Sequence, residues 1–214
     1  QNSPRSSRQG GELVNRALLS SDQTVWGTPR PFYEWLDRQL HFTVDVCATK
    51  ANAKHPRFFD ERSNGLSQSW EGETVWCNPP YGRALPDWID RARRAALEEL
   101  AIVCLLVPYR PDTEWWGSNV LQRDDEAGRL LRSRWIHGDE VLWLRFAKLV
   151  VGVHGYRGRV QFGTPQGVEA KGETAPFPTA IVTLAHPSRR PPAPRRSSEE
   201  LDPKIPRLTF GWPR

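Results

Sequence analysis

Four apolar side chains recur at helical spacing between Pro29 and Leu40, on one face of an otherwise polar segment. Threonine followed by proline, as at Thr28 and Pro29, is typical of a helix start, because the first turn does not use the N–H that proline lacks. The pattern predicts a helix over this segment.

Three short segments have the apolar, β-branched composition of strands: His41 to Val46, Glu73 to Cys77 and Ala101 to Val107. The last has no polar alternation, as expected of a strand that is buried on both faces. An amphipathic helical pattern from Pro86 to Leu100 separates the second and third strands. This order predicts an α/β fold with a doubly wound, mostly parallel sheet and helices on both faces, which binds ligands at the carboxyl ends of its strands.

Both ends of the chain lack this patterning. Residues 1–21 and 187–214 are rich in proline, serine and arginine, and we expect them to be disordered tails around one folded domain at residues 22–186. The chain begins with Gln1 and contains no methionine, so we expect that its first residue is not a translation start.

The formal net charge of +5 favours a polyanionic partner, although much of the basic excess lies in the tails. No stretch has the apolar length of a membrane span or a secretory signal, so we expect a cytoplasmic protein without a membrane partner. Cys47, Cys77 and Cys104 show no metal-ligand spacing, so we expect free thiols and no metal.

The segment Asn78-Pro79-Pro80-Tyr81 directly follows the second predicted strand. Its two prolines restrict the backbone and remove two donors. The Asn78 side-chain oxygen and the Pro79 carbonyl form a pair of acceptors that matches the two hydrogens of an exocyclic amino group, and the Tyr81 ring offers a face for stacking. The segment predicts a site for an aminated planar ring.

The ordered segments WGTP, VDVCA, NGLSQSW, NPPY, LVPYRPDTEWW and GRVQF together resemble the phage-type Dam family of DNA N6-adenine methyltransferases. This resemblance implies a Rossmann-like methyltransferase fold, S-adenosylmethionine as cofactor and DNA as partner. It also implies that a flipped adenine is methylated at N6, with its amino hydrogens held by Asn78 and Pro79 in a loop that Pro80 keeps rigid. A phage or prophage protein of this kind would act in the cytosol of its bacterial host.

Cofactor residues are less clearly marked, because the glycine-rich loop of many nucleotide-binding folds is missing after the first strand. Ala48 is small enough for a cofactor to approach closely. An acidic residue about fifteen positions after that strand would bind the ribose hydroxyls, and Asp60 and Glu61 are both candidates.

The resemblance implies further cofactor contacts. Asp45 would lie near the methionine ammonium, with a capping role at the strand end as the alternative. Asn64 stands where the family has aspartate before Gly-Leu; it would contact the cofactor adenine or serve as a turn residue. Thr28 and Pro29 resemble the N-terminal cofactor motif, with helix capping as the alternative.

Arg83, Arg110 and Arg159 are candidates for DNA contacts, because the predicted topology places them near loops at the active edge, where arginines bind phosphates. An ordinary solvated surface is the alternative. Trp115 lies at the start of a predicted helix and is a candidate wedge beside the flipped base, with core packing as the alternative.

Other classes of protein share parts of this pattern. RNA-adenine and protein-glutamine methyltransferases contain the NPPY segment, although they usually carry a glycine-rich first motif and more sequence before it. A non-catalytic basic nucleic-acid-binding module would depend on the arginine-rich tails and would not retain S-adenosylmethionine. The sequence does not determine the oligomeric state, for which a monomer is the default.

Overall fold

The computed structural model describes residues 26–120, 129–136, 139–145, 150–156, 160, 162 and 177–189. The predicted N-terminal tail and most of the predicted C-terminal tail therefore lie outside the described residues. In chain order the elements are α1 (Arg30–Leu40), β1 (Val44–Asp45), a 3-10 turn (Gly65–Ser67), β2 (Thr74–Cys77), α2 (Leu85–Glu98), β3 (Ile102–Pro108), a π-helical turn (Trp116–Val120), β4 (Arg129–Ile136), β5 (Asp139–Arg145), β6 (Val150–Tyr156) and β7 (Thr179–Ala185).

Helix α1 confirms the first predicted helix, and its end explains why the next strand is short. His41 closes the helix in the left-handed region at φ 55°, and the N–H of Phe42 donates to the Asp37 carboxylate at 2.8 Å. His41 and Phe42 thus belong to the end of the helix. The strand predicted from His41 to Val46 is therefore reduced to β1.

The seven strands form one sheet in the order β1-β2-β3-β7-β6-β5-β4. The first three are parallel, with Val44 opposite Val75 and Thr74 opposite Ile102. Between β2 and β3 the chain crosses over through α2, which confirms the predicted strand, helix, strand unit. The parallel part of the sheet is therefore the part that the sequence pattern describes.

The predicted mostly parallel sheet is confirmed only for these three strands. Strand β7 pairs antiparallel with β3, and β4, β5 and β6 continue the sheet in antiparallel pairs. Only positions 137–138 separate β4 from β5, and a connection this short can join antiparallel strands but cannot cross over between parallel ones. The sheet is thus mixed.

The core lies along the central strands. Every residue of β2, β3 and β7 is buried, and Trp35, Trp70, Trp76 and Trp116 are almost fully enclosed. Among the described residues the three cysteines are free thiols, and two of them are buried. No helix within the described ranges is long and apolar enough to cross a membrane.

Candidate active site

The loops that follow β1, β2 and β3 leave the sheet at the same edge, because the three strands are parallel. Asp45 ends β1, Asn78 comes directly after β2 and Arg110 follows β3. The sequence predicts this convergence, and the topology confirms it. Polar side chains from segments more than thirty positions apart are thereby collected at one edge.

A cavity of about 400 Å³ opens at this edge, within the roughly 300–1,000 Å³ typical of small-molecule sites. Two predicted catalytic residues and six of the seven predicted cofactor residues line it, the exception being Pro29. The lining residues are Trp26, Gly27, Thr28, Asp45, Val46, Cys47, Ala48, Thr49, Asn52, Lys54, Phe59, Asp60, Glu61, Asn64, Gly65, Trp76, Asn78, Pro80 and Trp88.

Asp45 places a buried carboxylate in the cavity wall. One of its oxygens accepts the backbone N–H of Cys47 at 3.3 Å, and the other accepts that of Lys54 at 3.0 Å. Burial raises the pKa of this carboxyl from 3.8 to about 6, while the two N–H donors oppose the rise. A cation bound beside Asp45 would stabilise its charged form.

Asp60 follows a segment that runs parallel to β1. Phe58 forms an isolated parallel bridge with Asp45, and the N–H of Phe59 donates to the Asp45 carbonyl at 2.8 Å. The Asp60 carboxylate accepts both the N–H and the hydroxyl of Ser63 at 2.9 Å, which hold its pKa below the usual value. Asp60 therefore has a fixed, ionised carboxylate at a strand end, whereas Glu61 is exposed.

Asn64 and Gly65 form a tight turn against the end of β1. Asn64 has φ 50°, a left-handed conformation that asparagine adopts more readily than most residues, so its predicted turn role is confirmed. A side-chain carbon at Gly65 would lie 2.0 Å from the Val46 carbonyl oxygen. Only glycine allows this close approach.

The Asn78 side chain is held on both sides. Its Nδ2 donates to the Trp26 carbonyl at 2.5 Å and to the Thr28 hydroxyl at 3.0 Å. Its Oδ1 accepts a hydrogen bond from the Tyr81 hydroxyl at 3.0 Å. The amide of the predicted catalytic loop thus has a defined orientation, with its oxygen towards Tyr81.

Tyr81 is 6% exposed, and burial raises the pKa of its hydroxyl well above the usual value. The hydroxyl also reaches the Leu106 carbonyl at 3.1 Å, and the rings of Phe177 and Phe162 approach at 76° and 81°. The sequence predicts an open ring face for stacking. The structure instead encloses the ring among other aromatic side chains, so its role as a stacking surface stays a prediction.

The three predicted proline residues differ in their relation to the cavity. Pro80 lines it, and Pro79 is buried beside it. Pro29 is the N-cap residue of α1, which confirms the predicted helix start. Thr28 does not cap the helix: it lies before the cap residue, and its oxygen accepts the Asn78 amide instead.

Three of the four predicted DNA-contact residues lie in the described part of the chain, and they differ in exposure. Arg83 is exposed just after the catalytic loop. Arg110 is exposed after β3 and forms a two-bonded pair with Asp112 at 3.1 Å for both contacts. Trp115 is half-buried beside Trp116, with 5.5 Å between ring centroids, and Arg159 lies outside the described residues. No contact here tests DNA binding, so these four assignments stay predictions.

Several lining residues were not predicted from the sequence. Trp88 belongs to the apolar face of α2, and Phe59 and Lys54 have no local motif. Gly65 had a usable signal, since a glycine after a turn asparagine often marks a close backbone approach. The others enter the cavity through tertiary packing.

The sequence was compared with known proteins. The profile of the family described as "DNA N-6-adenine-methyltransferase (Dam)" matches residues 16–197. The chain is also 31% identical over 88 residues to the DNA N-6-adenine-methyltransferase of Haemophilus phage HP1 (strain HP1c1), an alignment that covers 40% of this chain and 51% of the relative. The chain therefore spans about half the length of that curated relative. Because the family profile matches most of the sequence, the chain belongs to the Dam family of DNA N-6-adenine-methyltransferases.

Proposed function

We propose that this protein transfers a methyl group from S-adenosylmethionine to the N6 amino group of adenine in DNA. The observation that carries this proposal is the Asn78 amide, which is fixed by two hydrogen bonds and lines the same cavity as the Asp45 and Asp60 carboxylates. An acceptor for an amino group and an acidic cavity for a cationic cofactor thus lie side by side.

The cavity residues fit S-adenosylmethionine in their chemistry. Asp45 would bind the methionine ammonium, and Asp60, held by Ser63, would bind the ribose hydroxyls. Gly65 lets the turn pack against the Val46 carbonyl at the cavity, and Asn64 in this turn would contact the adenine of the cofactor. When bound, the cofactor supplies the reactive methyl group.

The catalytic loop would act on the target base by hydrogen bonding. Asn78 Oδ1 and the Pro79 carbonyl would accept the two hydrogens of the N6 amino group, which orients the nitrogen towards the methyl donor. The same acceptors stabilise the positive charge that develops on this nitrogen. No side chain has to form a covalent bond with the base.

DNA would approach across the active edge. Arg83 and Arg110 are exposed there and would bind phosphates, while Trp115 would lie beside the displaced base. We extend the proposal to Arg159, to a Rossmann-like doubly wound arrangement of the parallel strands, and to a monomer whose single folded domain is residues 22–186. The bacterial host cytosol, which contains the DNA, is the proposed place of action.

The test is a methyl-transfer assay with labelled cofactor on plasmid DNA, RNA and protein in parallel. Digestion and mass analysis then identify the modified unit. We expect label in 6-methyladenine from DNA. Label confined to RNA or to glutamine would assign one of the related methyltransferase activities, and a protein that does not bind S-adenosylmethionine would be a nucleic-acid-binding module.

A further inference from the structure

We infer that Thr28 is a positioning residue, which together with the Trp26 carbonyl sets the orientation of the Asn78 amide for catalysis. This inference rests on the proposed function, because it concerns how the amide meets the substrate amino group. It gives Thr28 a role different from the cofactor contact implied by the family resemblance.

The hydrogen bonds of the amide define a single orientation. Asn78 Nδ2 has two hydrogens and two acceptors, the Trp26 carbonyl at 2.5 Å and the Thr28 oxygen at 3.0 Å. A flipped amide would place its oxygen against the Trp26 carbonyl, which has no hydrogen to donate. The orientation shown is therefore the one that satisfies the amide nitrogen, and it leaves Oδ1 for other donors.

The two acceptors are themselves held in place. Thr28 is 4% exposed and precedes Pro29, the N-cap residue of α1, so the helix start fixes its backbone. The Trp26 ring packs against Phe162 and Phe177, with 5.5 Å between centroids in both pairs. The segment 26–28 is thus a rigid support, and it contacts the catalytic loop from about fifty positions earlier in the chain.

The oxygen of the amide can exchange its partner without a large movement. The Tyr81 hydroxyl has one hydrogen and two acceptors in reach, Asn78 Oδ1 at 3.0 Å and the Leu106 carbonyl at 3.1 Å. When a base amino group donates to Oδ1, the hydroxyl can turn its hydrogen to Leu106. The bonds to Trp26 and Thr28 then keep the amide in the same orientation. The Tyr81 hydroxyl releases Oδ1, which accepts the hydrogen of the substrate instead.

Two matched variants test this role. Thr28→Val keeps the shape of the side chain and removes the acceptor, whereas Thr28→Ser keeps the hydroxyl. With cofactor and DNA both saturating, we expect Thr28→Val to lower the single-turnover methyl-transfer rate by about 10-fold to 100-fold, since small errors in position have effects of this size. Thr28→Ser should stay within about threefold of wild type, and S-adenosylmethionine affinity should change little in either variant.

A second readout does not depend on activity. In protein labelled with ¹⁵N asparagine, the side-chain amide hydrogens of Asn78 should exchange slowly with solvent in wild type and Thr28→Ser, and faster in Thr28→Val. If wild type methylates neither DNA, RNA nor protein but the three proteins show this exchange pattern, the proposed function fails, while the orientation of the Asn78 amide by Thr28 is supported.

Three kinetic outcomes would overturn the positioning role. The first is a wild-type methyl-transfer rate in Thr28→Val, and the second is an equal loss in Thr28→Val and Thr28→Ser. The third is a loss in Thr28→Val that saturating cofactor restores, because that result would return Thr28 to cofactor binding. Equal amide exchange in wild type and Thr28→Val would overturn it as well.

Discussion

Two walls of the cavity are held in place by different kinds of interaction. The catalytic wall, named for the proposed role of Asn78, consists of Trp26, Thr28 and Asn78, which line the cavity, and of Tyr81, which bonds to Asn78 without lining it. It depends on side-chain hydrogen bonds around one amide. The packed wall consists of Gly65, which lines the cavity, and of Trp70, Arg91 and Glu99, which support Gly65 without lining the cavity. It depends on a close backbone contact and a partly buried ion pair.

The packed wall forms a continuous chain of contacts. The Trp70 indole N–H donates to the Gly65 carbonyl at 3.0 Å, and the Arg91 guanidinium lies 4.4 Å from the centre of the Trp70 ring. Arg91 also donates to the Gln68 carbonyl at 2.6 Å and pairs with Glu99 at 2.9 Å. These contacts bind the turn that carries Asn64 to α2.

Mutations in the two walls should therefore have different effects. The side-chain bonds of the catalytic wall meet at the half-buried Asn78 amide, so we expect that this amide can be changed with little effect on folding. The packed wall supports the backbone of the cavity itself, so its loss should affect stability and cofactor binding together. Three predictions separate the two walls, and a fourth concerns the Asp45 carboxylate in the same cavity.

The largest expected effect is the loss of catalysis in Asn78→Ala. Removing the acceptor should lower the single-turnover rate by at least about 100-fold to 1,000-fold, the effect typical of one polar group that stabilises a transition state. Cofactor affinity and melting temperature should stay near wild type, as calorimetry and thermal unfolding would measure. An Asn78→Ala variant that methylates DNA at the wild-type rate would exclude Asn78 from catalysis.

The next largest effect is expected in the packed wall, from Gly65→Ala. The added carbon would lie 2.0 Å from the Val46 carbonyl oxygen and 3.1 Å from the Trp88 ring, so the backbone beside Asp45 must move. We expect the free energy of unfolding to fall by about 3 kcal/mol or more, and cofactor affinity to fall with it.

Gly72→Ala is the control for this change. Gly72 has φ +68°, but among the described residues no atom lies within 4 Å of an added carbon. Backbone strain alone should lower the free energy of unfolding by about 1–2 kcal/mol in Gly72→Ala, and cofactor affinity should not change. Equal effects of the two substitutions on cofactor binding would contradict the packed-wall interpretation.

A smaller effect is expected from Arg91→Met, which keeps the apolar stem and removes the charge. The lost bonds to Gln68 and Glu99 and the lost contact with Trp70 should lower the free energy of unfolding by about 1–3 kcal/mol. Arg94→Met is the matched control, because the Arg94 pair with Asp90 is exposed, with side-chain exposures of 51% and 45%. In denaturant titration, Arg94→Met should lower the free energy of unfolding by less than about 1 kcal/mol.

The smallest expected effect is a pH dependence of cofactor affinity. Burial raises the pKa of Asp45 to about 6, so the carboxylate that would bind the methionine ammonium is ionised above this pH and protonated below it. Affinity should therefore fall by about tenfold between pH 7 and pH 5. Calorimetry across this range measures the profile, and Asp45→Asn should flatten it.

The ionisation of Asp45 should change the free energy of unfolding in the opposite direction to cofactor affinity, so that stability falls as the pH rises. Because its folded pKa lies above 3.8, its contribution to stability is fully present below about pH 4 and is lost as the pH rises through about 6. A cofactor affinity that rises as the pH falls would show that the ammonium binds elsewhere.

The sequence alone determined the local elements and the position of the proposed catalytic loop after a strand. Helix α1 follows from the spacing of Phe32, Trp35, Leu36 and Leu40, since this spacing places four apolar side chains on one face. The place of Asn78 at a strand end follows from the apolar run before it and the prolines after it. These features depend on neighbours within a few positions, which is why a single sequence specifies them.

The tertiary structure decided which distant residues meet. The antiparallel half of the sheet has no local signature, because the partner of a strand is set by packing and by the connections rather than by its own composition. The amide of Asn78 is oriented by Trp26 and Thr28, about fifty positions away, and Gly65 is required by a carbonyl at Val46. Contacts of this kind arise only when the folded backbone brings separate segments within hydrogen-bonding or van der Waals distance.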